Sequence, residues 1–561
     1  MIGRMIGTLG LVLMLAGCAA TAGEGTVRIP ADGKPAPKWA TAELAMLDAQ
    51  STCYHTLLDK FQGKLDIPPV KQLTENGGCD DDWAEGIAIW DLYLLNRHDP
   101  RVQKAYVDMW NAIFQERRMP GRNPFWCTGG FDAEHYSELF QLLWGCLELD
   151  PTNEKLIADN KRCLDFILKE VYDPKTRLMK CSYHLRGRLD RKPGEVALNA
   201  VWLTAAFHAY LTTGEERYKK WAMEYGTSWN ELAEANGGVF PYYIPPGTRE
   251  LNDQWYTTPW RGFGYWTKRG GGNVIAAMRS LHSMPTVLSL LDRGNADKHC
   301  RGMVSMLGVL FEAGRDGLPA TRYDGKRWVR PDRGNWAVPR MFENTYALTF
   351  DPELAKKYKA YIAAAEKAEG GRTERHFLQY PAFYYFGMGT TEKIADYFRH
   401  RARRIREKTA LYRKRPAPRK GDDVREQFTP YVSGMEYVIG SWWGRYDNCR
   451  CGGPVPGSVR YFTGEGEAGL PRDVAALVTK VAKDEVVVLL HNRAKRETRL
   501  ILTAGWYGQH RWTSVKVGGG PAVALGTRRV TIALEPGATG KLVLGVERFA
   551  NEPTLRPQAA E

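Results

Sequence analysis

The chain of 561 residues has no second long apolar run. After Ile6–Leu15, itself too short to cross a bilayer as a mature helix, no stretch is long and apolar enough to span one, which excludes a polytopic membrane protein. Regular metal-ligand spacing is also missing. Cys449-Arg-Cys451 lacks the two-residue gap of a zinc ribbon, and no His follows at ligand distance, so no metal site and no cofactor is expected. No repeat of constant length recurs, which excludes a solenoid of identical units. Acidic residues are in deficit: 64 Asp and Glu face 78 Lys and Arg, leaving a net charge of +14.

The N-terminus sets the compartment. A positive Met1–Arg4 precedes the apolar run, and Leu15-Ala-Gly-Cys18 matches the bacterial lipoprotein box. That resemblance implies cleavage before Cys18 and diacylation of its thiol, giving a signal peptide at 1–17 and a tether at 18–38. Ala19 in place of Asp implies outer-membrane sorting. Nine cysteines remain beyond Cys18, an odd number that cannot pair completely, and Cys146 and Cys163 sit in helical apolar patterns as buried thiols. An exported protein meets no nucleic acid, so the positive charge points to an acidic polysaccharide or a membrane surface, the latter reached only through the lipid at Cys18. Much of that charge is local: Lys and Arg fill eleven of the 22 positions from Arg399 to Lys420, a solvated helix face running into a linker.

The chain is organised around Gly130–Pro151. Leu139, Leu142, Leu143 and Leu147 recur at the helical period, Asp132 can cap the helix start, and an Asp-Pro turn leads into a second helix. The same unit recurs at Asp99-Pro100, Thr213-Gly214, Gly294-Asn295, Asp351-Pro352 and Thr390-Thr391, giving six helical hairpins between about 80 and 410. Their first helices are expected over Asp82–Asn96, Glu195–Thr213, Asn273–Leu291, Asn335–Phe350 and His376–Phe386. Long insertions follow the second helix of each pair and never the tight turn, so one rim carries short turns and the other long loops. From Asp473 the pattern changes to short alternating runs split by Gly, Asn and Pro, which predicts an antiparallel β-domain over 473–548, a small sandwich. The expected divisions are a helical domain at 39–410, a connecting region at 411–472, and a disordered tail at 549–561.

Six hairpins followed by an all-β module resemble the α/α-toroid carbohydrate-active enzymes, both the uronate polysaccharide lyases of the alginate, glucuronan and chondroitin type and the toroidal glycoside hydrolases, including the unsaturated glucuronyl hydrolases. The resemblance covers about residues 40–548 at the level of architecture. It implies a mainly α fold, a complete or incomplete (α/α)6 toroid, with the cleft at the loop-rich rim. It also implies a lyase that cleaves an acidic, uronate-containing polysaccharide by β-elimination, acting as a monomer.

Such a lyase must neutralise the C6 carboxylate, remove the C5 proton and protonate the leaving O4. The expected rim offers each residue type. His135 or His376 is the candidate base or neutraliser, Asn199 the carboxylate holder, Tyr256 or Tyr265 the base and acid, and Arg261 the carboxylate clamp. Trp83, Tyr136, Trp255, Trp260, Trp266, Trp336 and Tyr380 are candidate sugar-stacking groups. The alginate-lyase pattern has an Asn immediately before its His, where this chain has Glu134. His208, late in an apolar helix, reads as a core histidine. Two alternatives stay open: a hydrolase using paired carboxylates drawn from Asp80, Asp82, Glu85, Asp132 and Glu134, and a non-catalytic glycan-binding lipoprotein.

Overall fold

The computed structural model describes residues 25–60, 87, 90–113, 130–185, 188–256, 281–329, 337–368, 370, 381–415, 434–442, 453–455 and 457–559. Within them the chain forms fourteen α-helices followed by antiparallel β-sheet. A lead-in helix, α1 (Lys38–Lys60), precedes six pairs joined by short turns. They are α2 (Asp91–Asn96) with α3 (Pro100–Ile113), α4 (Ala133–Leu149) with α5 (Glu154–Phe166), α6 (Trp202–Thr213) with α7 (Glu216–Ala235), α8 (Met284–Leu291) with α9 (Ala296–Glu312), α10 (Ala337–Thr349) with α11 (Pro352–Ala368), and α12 (Pro381–Tyr385) with α13 (Thr391–Lys414). A short α14 (Met435–Ile439) follows.

The turn chemistry explains the pairing. Asn153 caps α5 by accepting from the Leu156 N–H, Thr390 caps α13 by accepting from the Lys393 N–H, and Gly214 ends α6 in the left-handed region at φ 69°. Leu142, Leu143 and Leu147 are fully buried, as the helical period requires.

Consecutive first helices touch in series: α2 meets α4, α4 meets α6, α6 meets α8, and α8 meets α10. The Tyr346 ring on α10 lies 5.2 Å from that of Phe386 just past α12, Tyr384 on α12 lies 6.0 Å from Tyr437 on α14, and α14 returns to α2. Outside them, α1 and α13 run side by side, with Arg406 donating to the Ala45 carbonyl and Lys60 to that of Tyr412.

One expected helix starts differently. From Glu195 the chain first forms a strand, Glu195–Val196, then a 3-10 turn, Ala197–Val201, and only then α6. The β-branched Val196 suits the ladder it makes with Tyr243.

The β-region holds two sheets. One orders β1 (Val27–Ile29), β15 (Arg529–Leu534), β12 (Thr498–Ala504) and β9 (Val459–Thr463). The other orders β10 (Val474–Val481), β11 (Glu485–Asn492), β16 (Thr539–Glu547), β13 (Arg511–Val517) and β14 (Ala522–Thr527). Buried Trp512 on β13 donates to the Leu502 carbonyl on β12 at 3.3 Å, joining the sheets. Three expectations change here. The segment read as a tether supplies β1, parallel to β15, and the connecting region supplies β9. The segment read as a disordered tail packs through 559: Leu555 is buried and Thr554 N–H donates to the Tyr507 carbonyl at 2.9 Å.

The tight turns dock on the β-region. His98 N–H donates to the Leu470 carbonyl and Leu470 N–H to that of Asn96. Arg460 donates to the carbonyl of Glu148, Arg293 pairs with Glu552 at 3.0 Å, and Arg548 lies over the Phe350 ring. The β-region therefore covers the short-turn end of the helices, leaving the helix starts at the opposite end.

Candidate functional site

Hydrogen bonds between the long connections gather them at the helix-start end. Strand β2 (Gly130–Asp132) pairs with β3 (Cys181–Leu185), setting Asp132 opposite Tyr183 just before α4. The Cys181 carbonyl accepts from Asn199 Nδ2 at 3.3 Å. Two residues before Asn199, the Ala197 N–H donates to the Tyr242 carbonyl, and the N–H groups of Tyr242 and Tyr243 donate to the Trp255 carbonyl at 2.7 and 3.1 Å. The start of α4, Asn199 and Trp255–Tyr256 thus share one end of the molecule. His135 and Tyr136 are the third and fourth residues of α4.

The rings of Trp255 and Tyr256 do not stand alone. Trp255 lies 5.3 Å from Tyr323 and 6.4 Å from Trp328, while Tyr256 lies 5.1 Å from Tyr323. Tyr323 and Trp328 come from a hairpin of Arg322–Tyr323 and Trp328–Val329 that the sequence reading passed over. Its signal was present: Asp324-Gly325 between aromatic residues is a hairpin turn. Asp324 Oδ1 accepts from the N–H groups of Lys326 and Arg327, both at 2.9 Å, and these backbone donors hold its carboxyl below the ordinary range. Gly325 sits at φ +96°, where a Cβ would lie 2.7 Å from the Tyr256 hydroxyl. All four rings are partly exposed, as stacking on a sugar requires.

Asn199 has another role than the expected one. Its side chain is fully buried, and Nδ2 donates to Glu195 Oε1 at 2.7 Å as well as to Cys181. With its donors engaged inside the protein, the geometry makes it a support for Glu195 rather than a holder of substrate carboxylate. Glu195 also accepts from Val196 N–H at 3.0 Å, Met179 N–H at 2.5 Å and the Tyr225 hydroxyl at 3.2 Å. Burial pushes this carboxyl up to about 8 against the pull of those four donors.

Residues 184–291 match a family model described as a domain of unknown function, DUF8034. No curated protein matches the chain. The matched stretch contains the Glu195–Asn199 centre, α6, α7 and the loop bearing Trp255 and Tyr256.

Two further buried acids lie on α10 and α14: Glu343 midway along the first and Glu436 in the second. Glu343 Oε1 accepts from the Tyr358 hydroxyl at 2.7 Å, while Oε2 is buried without a partner among the described residues. Burial pushes its carboxyl well above the ordinary range, and nearby Glu436 adds to the rise. Glu436 Oε2 accepts from Gly434 N–H at 2.8 Å, and burial pushes it to about 7. The buried Tyr385 hydroxyl has no partner among the described residues. Apolar context had hidden both acids from the sequence reading: Glu343 sits in Arg-Met-Phe-Glu-Asn and Glu436 in Gly-Met-Glu-Tyr-Val.

His208 is the core histidine expected, 3.2 Å from Glu148 Oε1 and fully buried. Trp83, Trp260, Arg261, Tyr265, Trp266, Trp336, His376, Tyr380 and Cys18 lie outside the described residues. Among the described residues no group of three or more His, Cys, Asp or Glu could hold a metal ion, and no helix is long and apolar enough to cross a membrane.

Proposed function

We propose that the protein is a polysaccharide lyase built on an (α/α)6-type toroid, lipid-anchored through Cys18, which cleaves an acidic, uronate-containing polysaccharide by β-elimination. The observation that carries the reading is the convergence of the α4 start, with His135, and the Trp255–Tyr256–Tyr323–Trp328 aromatic group at the end of the helices left open by the β-region. The serial contact of first helices, closing through α14 on α2, supports the toroid. The net charge of +14 supports a polyanionic substrate.

In this reading the aromatic rings stack on sugar faces, and Arg261 with a histidine neutralises the C6 carboxylate, which acidifies the C5 proton. Tyr256 or Tyr265 removes that proton. The C5–H electron pair becomes the C4=C5 double bond, the C4–O4 bond breaks, and the departing O4 takes a proton from the tyrosine. No water is consumed and nothing is oxidised.

A hydrolase is the second reading. It draws on two buried acids, Glu343 midway along α10 and Glu436 on α14, the latter close to the protonation midpoint a general acid needs. A panel of alginate, glucuronan, pectate and glycosaminoglycans separates the two. Near-ultraviolet absorbance of an unsaturated product supports the lyase, new reducing ends without it support the hydrolase, and binding without turnover reduces the protein to a glycan receptor.

A further inference from the structure

The Cys18 anchor of that reading acquires a direction from the fold. Residues 27–29 form β1, in parallel register with Ile532–Leu534. Only Ala19 to Thr26 therefore separate Cys18 from the folded body. At about 3.3–3.6 Å per residue these eight residues reach at most roughly 28 Å when fully drawn out. The β-region must sit within that reach of the lipid. It also covers the short-turn end of the helices, through Leu470 on His98, Arg460 on Glu148, Glu552 on Arg293 and Arg548 over Phe350. The helix-start end is displaced from it by the length of the inner helices, about 25 Å for a 17-residue helix such as α4.

Charge marks the same side. The register sets Arg28, Ala533 and Arg499 in one row across β1, β15 and β12. Arg28 and Arg499 share a single carboxylate, Glu497, at 2.7 and 3.3 Å. In the turn between β11 and β12, Lys495 and Arg496 are exposed and have no carboxylate partner among the described residues, whereas Arg493 is taken up by Asp48 and Asp473. Also at this edge, Asp32 pairs with Lys34 at 3.4 Å, and Glu535 accepts from the Ala31 N–H at 3.0 Å while keeping its charge. Four cations thus face two carboxylates, Glu497 and Glu535, at the edge nearest the anchor, an excess of positive charge.

We propose that this edge, Arg28, Lys495, Arg496 and Arg499 on β1 and the β11–β12 turn, is the surface that rests on anionic phospholipid headgroups, so that the loop-rich end with Trp255 and Tyr256 is held facing away from the membrane. A short anchor on a rigid sheet presents the open end to a polymer arriving from the aqueous side, and the headgroup contact limits rotation about the anchor.

The test uses the full acylated chain reconstituted in phosphatidylglycerol–phosphatidylethanolamine vesicles carrying an energy-transfer acceptor at the headgroups. A donor is introduced through an unnatural amino acid at Ser514, on β13 of the β-region, or at Asp253, beside Trp255. Transfer from the β-region donor at least about threefold stronger than from position 253 supports the orientation, and equal or stronger transfer from position 253 overturns it. Lys495→Glu with Arg496→Glu should reduce transfer from the β-region donor on phosphatidylglycerol vesicles and leave it unchanged on phosphatidylcholine ones. No reduction overturns the headgroup contact. Mass spectrometry of the N-terminal peptide separates the layers: an unacylated Cys18 overturns the anchor and this orientation with it, while the lyase reading is decided independently by the polysaccharide panel in solution.

Discussion

Trp506 Nε1 donates to Glu148 Oε2 at 2.9 Å, joining the β-region to the last turn of α4. The other carboxylate oxygen accepts from the Tyr507 hydroxyl at 2.9 Å and faces His208, and the guanidinium of buried Arg460 lies against the Trp506 ring while donating to the Glu148 carbonyl. Every member is buried, so the network ties the two parts of the molecule and aims the open end. Trp506→Phe removes one donor from a buried carboxylate. The expected cost is about 2–3 kcal/mol, read as a lower urea midpoint. Glu148→Ala should cost more, roughly 3–5 kcal/mol, because Arg460 loses its compensating charge. An unchanged midpoint in both variants contradicts the network's role.

The Glu195 centre makes a pH prediction. Its folded pKa, about 8, lies above that of the unfolded chain, so between roughly pH 4.5 and 8 the native state binds the extra proton. Stability from this group is therefore greatest on the acid side and declines as pH rises through that window. Asn199→Ala removes a donor that serves the charged form. It should cost about 1 kcal/mol more at pH 9 than at pH 6, measured by urea unfolding at both values. An equal cost at the two pH values contradicts the assignment.

Glu436 has the same sign over a narrower window, with its folded pKa at about 7. Glu436→Gln keeps a carbonyl oxygen for the Gly434 N–H and cannot ionise. The variant should match the parent at pH 5 and exceed its thermal stability at pH 9. A variant less stable than the parent at both values shows that the ionised carboxylate is needed.

At the aromatic group, Gly325→Ala puts a methyl against the Tyr256 hydroxyl at a left-handed backbone position. If Tyr256 is the base, kcat should fall at least about tenfold with KM little changed. Tyr323→Ala removes a stacking surface and should raise KM about tenfold with the fold intact by circular dichroism. Full activity in both variants removes this group from the site.

The helical pairs and β-strands were legible because their signals are local. Asp-Pro and Thr-Gly turns fix short hairpins, and the change from the helical period to alternation at Asp473 marks the β-region. Less legible were elements that exist only through a distant partner. Val27–Ile29 is too short to declare itself and becomes a strand by lying on β15. Leu555 looks like tail sequence until it is buried beside the tight turns. Asn199 reads from the sequence as a holder of substrate carboxylate, but the carboxylate it meets is that of Glu195, four residues back. Tyr323 and Trp328 were overlooked because their relation to Trp255 is set by a loop meeting a hairpin some seventy residues away, which no periodicity encodes.

The most direct test of the central claim is the mass of the oligosaccharides released from a uronate polysaccharide. β-Elimination predicts that every fragment bearing a newly formed non-reducing end is lighter by one water than its hydrolytic counterpart, accumulating with near-ultraviolet absorbance and abolished in Tyr256→Phe or His135→Ala. A product series consisting entirely of fragments of full hydrolytic mass, or a lighter series that persists undiminished in both variants, would contradict the account.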